Sequence, residues 1–431
     1  MTSRVLPDRD NLSPLRRDTA FYGMTATQFL GAFNDNVFKQ LVLLICVDYV
    51  IRQNLGKDTY QPIAQGLFAL PFVLFSGFGG FLSDITSKRT VIVLCKVAEI
   101  VVMAAGVVAF FVGQPYSSSL IVMLFAVLFL MGAQSAFFGP AKYGILPEML
   151  HERDLPAANG VIQMTTFLAI IFGTAAAGFA KTWFQDRLWM VSGLCVLIAM
   201  AGTLTSLFVR RTPVADPDAQ FDLSAVGINR HTWNLLRGDR ALLGVLMVSS
   251  LFWFVGGVVL PAVNTFGKDQ LGLGDERTSL LAACMGIGIA AGCLLAGRLS
   301  GNRVNFHLVT AGAWGIALSL GLLALVSRIG LSSRSIEWGA RLLLTAMGCS
   351  AGIFAVPLQV FLQSRPPDDQ KGRMIGTMNL INWIGILLAA GFYFGCSAAF
   401  TPKQIHWTFA VLAVVMLPVA IFYHPHDEQL E

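Results

Sequence analysis

The sequence predicts an all-α membrane protein of twelve transmembrane helices, arranged as two six-helix, pseudo-symmetric halves. Three observations carry that expectation. Of 431 residues, 55% are hydrophobic and only 13% charged, and the mean hydropathy of +0.66 is too high for a soluble protein. Apolar windows long enough to cross about 30 Å of hydrocarbon as helices recur along the whole chain. One long polar segment, 210–240, divides six such windows from six.

Taken in order, residues 1–20 contain Arg4, Arg9, Arg16 and Arg17 but no apolar core. No cleavable signal peptide is expected, and the first window must itself direct insertion. That window, near 23–51, carries "GAFNDNVFKQ" (31–40) in its middle, where a charge in lipid costs at least about 2.5–3.5 kcal/mol. On a helix Gln28, Asp35 and Lys39 fall within about 40° of one another, with Asn34 roughly opposite. Asp35 lies about 21 Å along the span. Such a stripe is expected to face a polar cavity. Asp35 and Lys39, spaced i,i+4 with the acid first, either exchange with a zwitterionic substrate or form an internal pair that only packs the helix.

The second window (62–83) leads into the short basic turn "GGFLSDITSKR" (79–89). The third (90–112) contains Lys96 and Glu99 at i,i+3, an intramembrane charge pair read equally as functional or structural. Lys96 is about 12 Å from the helix end, within reach of the interface by snorkelling. In the fourth (119–139), Gly139 and Pro140 are expected to interrupt the helix. Lys142 then becomes a candidate phosphate ligand and Glu148 a gate partner, unless the segment is a plain helix stop. The fifth (158–181) presents Asn159, Gln163 and Thr166 toward one side, while Gly173 and Gly178 read as close-packing positions. The sixth falls near 188–209, and the second half repeats the pattern near 241–266, 278–299, 306–327, 339–362, 374–397 and 405–423. Gln359, Gln363, Asn379 and Asn382 are its polar residues within spans, the last two taken as substrate-binding candidates. The expected domains are an N-terminal bundle (1–209), a cytoplasmic linker (210–240) and a C-terminal bundle (241–431).

With a cytoplasmic N-terminus, the inside segments hold 18 Lys and Arg against 10 outside. The positive-inside rule therefore puts both termini in the cytoplasm. The net charge of +5 then reads as topology and contact with anionic membrane lipid, with no nucleic-acid partner. Cys46, Cys95, Cys195, Cys284, Cys293, Cys349 and Cys396 all lie in apolar spans without CxxC spacing, so reduced packing residues are expected and no metal or cofactor. No His has an Asp five positions later, as an acyltransferase of the H-x-x-x-x-D type requires, and the two Gly-Lys pairs, at 56–57 and 267–268, are each followed by Asp instead of completing a P-loop. An enzyme is not expected.

The halves look like repeats. A shift of 216 residues aligns Met131-Gly132 with Met347-Gly348, Phe138 with Phe354, Leu146 with Leu362 and Gly160 with Gly376. A shift of 217 aligns Gly80, Leu82 and Ser83 with Gly297, Leu299 and Ser300, and Pro140 with Pro357. Parallel six-helix repeats about an axis along the membrane normal are the major facilitator fold; accidental repeats in a channel or receptor bundle are the alternative. The turn at 79–89 is similar to the major-facilitator loop motif G-x-x-x-D-R-x-G-R-[KR]. Gly80, Asp84, Lys88 and Arg89 match it, and Ile85 and Ser87 depart. The resemblance implies a gate formed by Asp84, Lys88 and Arg89; a solvated basic turn is the plainer reading.

"QFLGAFNDNVFKQ" (28–40), "FLMGAQSAFFGPAKYGILPEML" (129–150) and "LPAANGVIQMTTFLAIIFG" (155–173) together resemble the lysophospholipid transporter family of the major facilitator superfamily, especially the transporter part of fused transporter–acyltransferase proteins. In the second half, "SSLFWFVGGVVLP" (249–261) is the most similar segment; where stand-alone members carry an Arg shortly afterwards, this chain has Pro261 and Asn264. The resemblance implies transport of lysophosphatidylethanolamine and lysophosphatidylglycerol to the inner leaflet of the bacterial cytoplasmic membrane. It further implies a monomer and an acyltransferase partner that restores the missing chain. Gln28, Asp35, Lys39, Lys142, Gln163, Asn379 and Asn382 are the substrate-binding candidates. A proton-coupled exporter of amphipathic drugs or metabolites is the alternative, since Asp35 or Glu99 is able to bind a proton; Thr174 after Gly173 departs from the Gly-Pro motif usual in that class.

Overall fold

All twelve windows are helical in the computed structural model, which describes residues 15–55, 59–150, 154–212, 214, 230–300, 303–326, 328, 332–366, 371–423 and 428–429. The helices are α1 (Thr19–Arg52), α2 (Tyr60–Ile85), α3 (Lys88–Val112), α4 (Ser118–Gly144), the short α5 (Leu146–Met149), α6 (Leu155–Trp183) and α7 (Trp189–Ser206). The short α8 (Arg230–Gly238) precedes α9 (Arg240–Thr265), α10 (Asp275–Ser300), α11 (Phe306–Val326), α12 (Ser333–Ser364), α13 (Lys371–Ala399) and α14 (His406–Phe422). Eleven are long and apolar enough to cross a bilayer, and α14 is an apolar helix of 17 residues. Two-residue strands at Arg303–Val304 and Glu428–Gln429 pair antiparallel. We call the end at which α1 begins the near end and the end it reaches the far end.

The interruption expected at Gly139-Pro140 does not occur: α4 continues to Gly144 with Pro140 inside it. Pro140 has no N–H to give the carbonyl of Ala136. That stretch is held instead by close backbone contact with α2, since a Cβ on Gly79 would stand 3.0 Å from Ala136 O. α12 carries Pro357 in the same way.

Much of the segment 210–240 lies outside the described residues, but its end folds as α8, with Leu236 buried and Trp233 40% exposed. The Arg237 guanidinium covers the Trp233 ring at 5.0 Å. Asp239 then caps α9, accepting bonds from the Ala241 and Leu242 amides at 3.0 Å each and from Arg365 Nε at 2.9 Å. Burial alone would raise its carboxyl, but Arg365 and the two amides outweigh it and hold the group below the ordinary carboxylate range.

The chain divides into two compact units. The first comprises Met1–Phe38, Leu70–Gly173 and Asp186–Gly227; the second Lys39–Ala69, Thr174–Gln185 and Ile228–Glu431. The far-end segments of α1, α2 and α6 thus pack with helices of the second half. Inside the first unit α3 lies against α4 and α7; inside the second, α11 lies against α12 and α14. Adding 217 carries α3, α4 and α7 onto α11, α12 and α14, so the internal packing repeats as the sequence does.

The second unit also holds a very close helix crossing. Gly288 and Gly292 of α10 meet Gly348 and Gly352 of α12: a Cβ on Gly292 would stand 2.0 Å from Cys349 O, and one on Gly348 2.0 Å from Met285 O. Only glycine allows the backbones into such contact, which replaces the hydrophobic drive that lipid does not supply.

Candidate functional site

In the first unit Gln28 is the hub of a polar cluster joining α1, α4 and α6. Its Oε1 accepts from Lys142 Nζ at 3.3 Å and from Thr166 Oγ1 at 2.9 Å, while its Nε2 donates to Thr165 Oγ1 at 2.6 Å and Ile162 O at 3.3 Å. Lys142 is half-buried, with its ammonium 4.8 Å from the Tyr143 ring centroid. Among the described residues it meets no carboxylate, and two of its three donors are left over. Beyond Gln28 on α1, Asp35 accepts from Ser135 Oγ at 2.8 Å, and Ser135 accepts from Gln134 Nε2 at 2.8 Å. The arrangement offers a cation that donates to a neutral amide and, further along α1, a carboxylate that accepts from a serine hydroxyl. The sequence candidates Gln28 and Lys142 are therefore in contact, with Thr165 added by the structure. Gln163 lies on the same helix, but its side chain is outside the described residues, as are those of Asn159 and Gln363.

Lys96 and Glu99 form an ion pair, both almost fully buried, and Asn34 Nδ2 donates to the second carboxylate oxygen at 2.7 Å. Lys96 does not snorkel. Gly31 and Gly202 leave room for its ammonium end, and the Phe138 ring lies 5.7 Å from it. Asn34, which points away from the polar stripe on the helical wheel, serves this pair.

At the near end, Lys88 Nζ contacts Glu148 at 2.5 Å, and Arg89 donates to the carbonyl of Leu207, the residue that caps the end of α7, at 2.9 Å. Arg210 bridges Asp18 at 3.1 Å and Met149 O at 2.9 Å. The Asp84 side chain is outside the described residues.

The second unit contains two clusters that the sequence reading missed. Asp48, Lys181, Lys268 and Asp275 form a charge-balanced square: Lys181 reaches Asp48 at 2.5 Å and Asp275 at 2.6 Å, and Lys268 reaches Asp275 at 2.6 Å and also touches Asp48. It ties α1 and α6 to the π-helical turn Phe266–Gln270 and the start of α10. Beside it runs a neutral network. Asn264 Oδ1 accepts from Gln40 Nε2 at 2.8 Å, and Asn264 Nδ2 donates to Gln61 Oε1 at 3.1 Å. Gln61 Nε2 reaches Thr265 Oγ1 at 2.9 Å, and Tyr393 OH donates to Pro261 O at 3.3 Å. Pro261 cannot donate to Gly257 O, and Gln65 Nε2 fills that gap at 2.6 Å. Pro261 and Asn264 are thus occupied inside the unit. The readable signal was Gln61 and Gln65, one turn apart at the start of an apolar helix.

Lys39 lies 5.1 Å from the Phe68 ring, which meets Trp383 edge-on at 6.2 Å. Asn382 is buried and accepts from Ser249 Oγ at 3.4 Å; Asn379 is half-buried and makes no hydrogen bond among the described residues. These three belong to the second unit, and the Gln28 cluster belongs to the first.

Residues 25–390 match the model of the Major Facilitator Superfamily. A lysophospholipid transporter LplT of Serratia proteamaculans (strain 568) is 28% identical over 371 residues, 85% of each chain. One of Yersinia pestis (strain Pestoides F) is 29% identical over 399 residues, 91% of this chain and 89% of that one. Among solved structures, a D-xylose-proton symporter superposes with a TM-score of 0.73 at 15% identity, covering 94% of this chain and 98% of that one.

Proposed function

Because the chain belongs to the Major Facilitator Superfamily, we propose that it carries lysophospholipids, chiefly lysophosphatidylethanolamine and lysophosphatidylglycerol, to the inner leaflet of a bacterial cytoplasmic membrane. It does so by alternating access, with both termini in the cytoplasm, and an acyltransferase then restores the missing chain. Relatives of that name along most of the chain support the substrate class. Lys142 carries the chemical argument: an ammonium held by an amide and an aromatic face, with no carboxylate among the described residues, has donors to offer a phosphate. Asp35, set on a serine hydroxyl and one helical turn before Lys39, is suited to the ammonium that lysophosphatidylethanolamine has and lysophosphatidylglycerol lacks. The protein moves its substrate and changes no bond in it.

The two charges give a test with separable outcomes. Lys142→Gln should slow transport of both lipids about tenfold or more, the loss of one charge-assisted hydrogen bond to phosphate, with Lys142→Arg retaining most of it. Asp35→Asn should slow lysophosphatidylethanolamine and spare lysophosphatidylglycerol. Transport of fluorescent lysolipids into spheroplasts measures both. If Lys142→Gln transports normally at wild-type expression, the phosphate site is elsewhere.

A further inference from the structure

An open cavity of about 460 Å³ lies at the far end of the second unit, where α10 and α12 begin, and it includes none of the transport candidates. Leu271, Gly272 and Leu273 line it together with Arg277, Ser333, Arg334 and Glu337. Glu337 is 2% exposed and is fully engaged: Arg277 donates to it through Nε at 3.0 Å and through Nη2, and Arg341 Nη2 reaches it at 2.5 Å. One carboxylate therefore faces two guanidiniums before Arg334 is counted. Arg334 is exposed and has no hydrogen bond or ion pair among the described residues. The lining carries a surplus of positive charge with guanidinium donors unspent.

Its depth in the membrane can be read from α12. Arg334, Trp338 and Leu342 follow at i, i+4 and i+8 on one stripe, and Trp338 and Leu342 are 54% and 69% exposed. An exposed Trp with exposed Leu beyond it marks the boundary between head groups and hydrocarbon. Arg334 stands one turn, about 6 Å, further out, level with lipid phosphates. The Arg341 guanidinium, which pairs with Glu337, also lies 4.7 Å from the Trp338 ring, so a lining residue of the pocket and the interfacial ring share one contact.

We propose that this pocket holds the phosphodiester head of an anionic membrane phospholipid, as a resident lipid and not as cargo. Planar guanidiniums match phosphate oxygens in pairs. A zwitterionic head group fits poorly, because its ammonium would meet two arginines and a carboxylate already taken. The apolar stripe below Arg334 gives the acyl chains a surface to follow. The proposal does not depend on what the protein transports.

Native mass spectrometry of the full chain in detergent, titrated with phosphatidylglycerol or phosphatidylcholine, tests it. Phosphatidylglycerol should bind more tightly, and Arg334→Gln should weaken it about fivefold, the share of one basic residue at an anionic surface, leaving phosphatidylcholine unchanged. Arg334 is exposed and has no hydrogen bond or ion pair among the described residues, so this variant should fold normally. Arg328→Gln, at another far-end arginine, should change neither lipid. Equal binding of the two lipids, an unaltered titration in Arg334→Gln, or an equal loss in Arg328→Gln would overturn the proposal. So would displacement of phosphatidylglycerol by millimolar inorganic phosphate, which would make the pocket a site for the free anion.

Discussion

Lysines at Lys88, Lys96 and Lys142 are answered in three ways: by a carboxylate at the near end, by a carboxylate in the interior, and by a neutral amide. The interior pair is expensive to bury and more expensive to break. Glu99→Ala should therefore cost about 3–5 kcal/mol, read as a fall in melting temperature of the detergent-solubilised protein. Lys96→Met combined with Glu99→Leu should recover most of that stability and still transport. A stable but inactive double variant would instead give the pair a part in transport. The i,i+3 spacing made this pair legible in the sequence. Asn34 was not, because it meets Glu99 across 65 positions and no local pattern links them.

The helices themselves were readable because each apolar window is bounded by charge, glycine or proline, and lipid demands a helix wherever such a window crosses. Pro140 misled because a proline near a helix end often stops it, whereas here backbone contact with α2 accompanies a helix that continues. The glycines of α10 and α12 stand at the i,i+4 spacing of close-packed membrane helices, yet spacing does not say which helix each pair faces. Gly348→Val should force those backbones apart, since even a Cβ there falls 2.0 Å from Met285 O. Size-exclusion profiles should show aggregation or a large loss of folded protein. Gly321→Ala, whose Cβ meets nothing within 4 Å, should be neutral or slightly stabilising. Equal behaviour of the two variants would remove the packing role given to Gly348.

Across the whole chain, the near-constant offset between halves foretold the internal packing that both units share. It could not reveal the square of Asp48, Lys181, Lys268 and Asp275, whose members meet across as many as 220 positions and look individually like charges near helix ends. Part of the Gln28 cluster was visible as a polar stripe in an apolar helix; its partners on α4 and α6 needed the tertiary structure. Lys142 and Asp35 together suit one cargo, a single-tailed phospholipid whose head cannot cross hydrocarbon without a polar path. The most direct measurement is leaflet exchange in liposomes containing the purified protein, without ATP, using labelled lysophosphatidylethanolamine and its diacyl counterpart. The account predicts that the lysolipid equilibrates far faster than the diacyl lipid, and that an acyltransferase on the cytoplasmic-facing side makes uptake one-way. Exchange no faster than in empty liposomes under every imposed ion gradient, with a cationic dye expelled under a proton gradient, would contradict it and identify an exporter instead.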